Sequence, residues 1–87
     1  MQYTTFNTGN TIIVSSPAII HGFSIRATAT AVVHIHDNAT GAGNPVFRIA
    51  VATTSTALYD SFKGVPFNEG IFVEVVSGTA TGSIFWE

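Results

Sequence analysis

The chain has no cysteine, which removes disulfides, thiolate metal sites and thiol catalysis together. It is also poor in charge. Arg26, Arg48, Lys63, Asp37, Asp60, Glu69, Glu74 and Glu87 make up 9% of its 87 residues, where a soluble surface usually carries roughly a quarter to a third. Three cations and a formal net charge of −2 leave no basic face for nucleic acid. No apolar run approaches the roughly 18 residues that a spanning helix needs, so no membrane partner is expected. The opening Met1-Gln2-Tyr3-Thr4-Thr5-Phe6 lacks the basic and apolar regions of a leader, and a cytosolic product is expected. Helical periodicity is missing as well, since no window sustains an apolar residue every three to four positions and β-branched residues dominate.

What remains is alternation. Phe23, Ile25 and Ala27 share one side of a strand with His21, and Gly22, Ser24, Arg26 and Thr28 take the other. Residues 28–30 carry no strong turn signal and either bend or bulge. Ala31, Val33 and Ile35 then alternate with Val32, His34 and His36, and Phe47, Ile49 and Val51 with Val46, Arg48 and Ala50. Residues 11–15 read as an early strand closed by Pro17. Residues 57–62 read as another, with Leu58 and Phe62 on one face and Asp60 between them. Residues 38–45, with Gly41, Gly43 and Pro45, form the clearest exposed loop, and residues 63–70 form a tight excursion. Residues 71–76 alternate up to Ser77-Gly78 and pair as a hairpin with a closing strand over 79–86. These signals predict an all-β single domain, a β-sandwich or jelly-roll-like barrel of seven to eight short antiparallel strands over residues 11–87. A polar arm over residues 1–10 precedes it and is expected to order on assembly.

Chemistry is sparse. His34 and His36 point to the same side of a strand and are the pair to test for a metal, but two ligands close no site, so neither metal nor cofactor is expected. An exposed histidine pair is more often solvated or at an interface. His21, near Phe23, reads as a hydrogen-bonded residue at the core margin. No serine or threonine has a histidine and an acid at a recognisable spacing. Asp60, Glu69 and Glu74 would need a cleft that short loops do not provide. No enzyme is expected. Tyr3, Phe6, Tyr59, Phe67, Phe72 and Trp86 would suit a sugar-stacking platform, which makes a carbohydrate- or receptor-binding sandwich the alternative reading. Core and interface packing is the commoner fate of such rings. Phe67 reads as a plug at the end of the fold, and Trp86 as a partner of the opening strand.

With 46% apolar residues and a mean hydropathy of +0.40, the chain holds more apolar surface than its charges can offset. Val32, Phe72 and Val76 alternate outward, beside His34, His36 and Glu74. Together with Phe67 they are the expected interface to other chains. The competing possibility is a dense core beneath a threonine-rich surface. The run from Gly22-Phe23 through His34-Ile35-His36-Asp37, the Gly41–Gly43 loop, Val46-Phe47-Arg48-Ile49-Ala50-Val51 and Gly64-Val65-Pro66-Phe67 to Gly70-Ile71-Phe72-Val73-Glu74-Val75 resembles small virion proteins of tailed bacteriophages. The resemblance covers roughly residues 20–87 and carries over no active-site residue. It implies a capsid decoration (cement) subunit or a tail-associated subunit, made in the host cytoplasm and resident in the virion. The implied partners are itself, with a trimer favoured, and the major capsid protein or tail proteins. Contacts would come through residues 1–10, 38–45 and 63–70.

Overall fold

The computed structural model describes the backbone of residues 1–87 and every side chain except that of Phe62, so the expected pairing of Leu58 with Phe62 lies outside the described residues. The fold is all-β and antiparallel, with six strands: β1 Gln2–Phe6, β2 Asn10–Val14, β3 Ala18–His36, β4 Phe47–Val51, β5 Thr56–Phe67 and β6 Ile71–Trp86. The strand count falls below seven because two long strands each serve twice. The first half of β3 pairs with β5 and with the end of β6, and its second half pairs with β4 and with the start of β6. β6 likewise pairs with β1 near its end and with β2 near its start. One half of the molecule is therefore β1-β6-β3-β5 and the other β2-β6-β3-β4.

Burial follows the alternation. Phe23, Ile25, Ala27, Ala31, Val33 and Ile35 of β3 join Ile71, Val73, Ala80 and Ile84 of β6 in one buried cluster with Phe6, Val51 and Phe67. Strands of both halves contribute to it. Phe47 of β4 lies 5.5 Å from Phe23 and 5.2 Å from Tyr59, ring centre to ring centre, and 6.4 Å from Phe67. At about 1.5–3 kcal/mol for each large apolar side chain removed from water, this cluster is the main stabilising term. The expected plug at Phe67 is buried.

Three differences from the sequence reading share one physical cause, a long-range contact that overrides a local signal. Ser77-Gly78 does not end a strand, and residues 71–76 and 79–86 are not a hairpin but one continuous strand lying along β3. Gly78 has φ +75° and presses against Thr30 and Ala31, where the register with β3 shifts repeatedly between Ala27 and Val33. A local stop signal becomes a bulge because the neighbouring backbone holds the chain in the sheet. Residues 64–67 are not an excursion but the end of β5, where Val65, Pro66 and Phe67 pair with Ile20, Ile19 and Ala18. Residues 2–6, expected in a free arm, form β1 against β6, and burial of Phe6 holds them there.

A further register shift falls between Ile20 and Gly22. It inverts the alternation, so that Ile20 is buried ahead of it and Phe23 after it, while His21 turns to the margin. His21 Nε2 lies 3.4 Å from a carboxylate oxygen of Glu87, an ion-pair distance without hydrogen-bond alignment.

Candidate functional site

Outward-facing residues of the β2-β6-β3-β4 half fall into cross-strand rows. Register aligns Asn10, Glu74, His34 and Arg48 in one row, and Ile12, Phe72 and His36 in the next. Positions i and i+2 of a strand share a face, so His34 and His36 stand together on β3, with ring centres 5.9 Å apart. Glu74 reaches both from β6. Its Oε1 lies 3.1 Å from His36 Nε2, in hydrogen-bond contact, and 3.9 Å from His34 Nδ1. His36 is only 2% exposed and its Nδ1 has no hydrogen-bond partner, whereas His34 and Glu74 remain partly open to solvent.

The loop over residues 38–45 covers one end of this face instead of projecting from it. Asn38 organises it, its Oδ1 accepting from the Thr40 and Gly41 amides at 3.1 and 2.7 Å and its Nδ2 donating to the Ala42 carbonyl at 2.9 Å. Gly41, at φ +75°, then sits so close to the Phe72 ring that an added Cβ would lie 2.6 Å from it. Phe72 packs under this loop and edge-on to His36. Asp37 is turned to other work. Its carboxylate accepts amides of Asn68, Glu69 and Gly70 at 3.0, 2.8 and 3.4 Å, pinning the β5–β6 turn. Partial burial pushes the Asp37 pKa up, but the three amide donors outweigh it together and hold the group below its ordinary value.

The expected interface set divides accordingly. Val32, His34, Glu74 and Val76 keep exposure on the outer face, Val76 at 50%. Phe67, Phe72 and His36, at 1%, 7% and 2% exposed, are consumed inside the chain and offer no docking surface. The reason is local cover: one loop folds over Phe72 and His36, and Phe67 plugs the core. Exposed Ile12 and Val46 border the same face.

A second apolar surface lies on the outside of the β1-β6-β3-β5 half. Met1, Phe85, Leu58, Tyr59 and Asp60 line a groove of about 370 Å³ over Gly22. Leu58 is 78% exposed, and Tyr3, also exposed, lies 6.3 Å from Phe85 by ring centres. Sequence reading missed this groove, because β5 and β1 are far apart along the chain and only their pairing to β3 and β6 brings Leu58 and Tyr3 to one face. The link between Glu74 and the two histidines was missed for the same reason. Its only trace in the sequence is that all three alternate outward.

The proposed sugar platform is dispersed. Phe6, Phe67 and Phe72 are buried, Tyr59 stacks on Phe23 at 5.1 Å, Trp86 donates its Nε1–H to Thr4 Oγ1 at 3.0 Å, and of the six rings Tyr3 stays largely exposed, beside Phe85. The carboxylates are dispersed too, with Asp60 opposite Gly22 on one half, Glu74 on the other and Glu69 in the β5–β6 turn. The chain matches no protein-family model, no curated protein and no solved structure.

Proposed function

We propose that the protein is a non-enzymatic structural subunit of a tailed-phage virion, a capsid decoration protein or a small tail-associated component, acting by apolar contact with copies of itself and with neighbouring virion proteins. One observation carries the reading: large apolar side chains stand exposed on both outer faces, Ile12, Val46 and Val76 on one, Met1, Tyr3 and Leu58 on the other. A chain with eight charged side chains has little else to keep such surfaces apart. Burial of roughly 400 Å² of apolar area per subunit would offer on the order of 10 kcal/mol before the costs of association. The strand-and-turn likeness to small phage virion proteins supports a virion over other assemblies, and a trimer is the favoured self-association. We read the two packed halves as a β-sandwich that presents one face to each neighbour.

Light scattering after size exclusion at high micromolar concentration, together with co-sedimentation on phage shells, tests the proposal. Oligomers, or binding to shells, are expected. A monomer that binds no shell, or reproducible glycan binding on an array, would replace this reading with the carbohydrate-binding one.

A further inference from the structure

A surface that works by apolar contact has no use for a histidine sealed against Phe72 with one ring nitrogen dry. Valine or isoleucine would fill that position in β3 without stranding a polar atom. His36 instead directs its other nitrogen at Glu74, beside His34. We propose that His34, His36 and Glu74 bind one first-row transition-metal dication per chain, of the zinc class, with the remaining coordination position facing outward.

The geometry supports this in three ways. First, the three ligand atoms all lie within 4.8 Å of one another. A tetrahedral zinc ion with bonds of about 2.0–2.2 Å holds its ligands about 3.3–3.6 Å apart. The separations of 3.1 and 3.9 Å to Glu74 bracket that range and no pair of ligand atoms exceeds 4.8 Å, so side-chain rotations of about 1–1.5 Å close the set. Second, two imidazoles and a carboxylate suit zinc, nickel or copper, whereas calcium and magnesium call for oxygen ligands. Third, the ligands stand on the two longest strands, β3 and β6, in register as His34 opposite Glu74, so their backbones are already fixed.

Competing claims on these groups are weak. Among the described residues, the ion-pair contacts of Glu74 are with the two histidines alone, and exposed Arg48, opposite His34, takes no part in them. Asp37, next in sequence to His36, is committed to the β5–β6 turn and is not a ligand. The partial exposure of His34 and Glu74 leaves an entry path and room for water in the open position. The site is complete within one chain and stands whether or not the outer faces dock.

Calorimetric titration of tag-free protein with zinc sulfate tests the assignment, with cobalt(II) absorption as the spectroscopic readout. One ion per chain is expected. H34Q and E74Q, both at partly exposed positions and near in shape to the native residues, should each weaken binding at least tenfold while circular dichroism stays unchanged. H21Q, which removes a histidine of the other half, should leave binding as it was. Acidification should release the ion, because imidazole binds metal only when unprotonated. Absence of saturable zinc binding, or equal affinity in native protein, H34Q and E74Q, overturns the proposal.

Discussion

Replacing Gly78 with alanine probes the contact on which both outer faces depend. Gly78 sits mid-strand in β6 at φ +75°, a conformation that costs an L-residue about 1–2 kcal/mol. A second penalty is steric. A Cβ there would overlap the Thr30 carbonyl oxygen and lie 2.7 Å from the Thr30 carbonyl carbon and 2.8 Å from Ala31 Cα. All three atoms are backbone of β3 and cannot rotate aside, so the strands must separate, at a further cost of about 1–3 kcal/mol. Gly43 supplies the control, since its φ is +74° and an added Cβ would meet nothing within 4 Å. G43A should therefore lose about 1–2 kcal/mol, and G78A about 2–5 kcal/mol. At roughly 0.05–0.15 kcal/mol per residue, the 87-residue domain holds about 4–13 kcal/mol in all, so the loss in G78A is a readily measured share of the total. Urea titration followed by Trp86 fluorescence measures both variants. If they lose the same stability to within about 0.5 kcal/mol, β3 and β6 do not cross closely at Gly78. The register that brings Glu74 to His34 and His36 would fall with that crossing.

Asp37→Asn removes the charge that the Asn68, Glu69 and Gly70 amides stabilise. Because the folded-state pKa of Asp37 lies below its unfolded value, its contribution is fully present above the unfolded pKa, about 3.9, and is lost as pH falls through the folded one. D37N should melt lower than native protein near neutrality, and the gap should close below about pH 4 in thermal melts across pH; a constant gap refutes the electrostatic account. Leu58→Glu alters a side chain that is 78% exposed, so stability should stay within about 0.5 kcal/mol, while self-association or shell binding measured by sedimentation drops. Loss of stability with unchanged association would contradict the role given to that face. Trp86→Phe deletes the bond to Thr4 Oγ1 and should cost about 0.5–1.5 kcal/mol. Hydrogen exchange should then quicken in β1 ahead of β3, and uniform quickening would show that the bond does not tether β1.

Much of the fold was legible because strand alternation is local. The inward sets Phe23-Ile25-Ala27, Ala31-Val33-Ile35 and Ile71-Val73-Val75 could be read from spacing alone, and all are buried except Val75, which is half-buried against the core. Residues 38–45 read correctly as a loop for a similar reason, since Gly41 and Gly43 take positive φ. Gly78 and residues 64–67 misled because the same residue types mark a turn and a bulge. Which of the two forms depends on whether another strand lies alongside. The outward set was legible as a set, but not its fate: Phe72 and Val76 alternate alike, yet one is covered by a loop and the other is bare.

Composition and period, properties of neighbouring residues, were enough to determine an antiparallel β domain with few ions, no thiol chemistry and a defined inner face. Tertiary structure decided which outward residues meet. Glu74 comes to His34 and His36 only through the register of β6 on β3, and Leu58 joins Phe85 and Met1 around one groove only because β5 and β6 flank the same stretch of β3. Register between distant strands is set by bulges, glycines and turns acting across the whole sheet, and no short window of sequence contains that information.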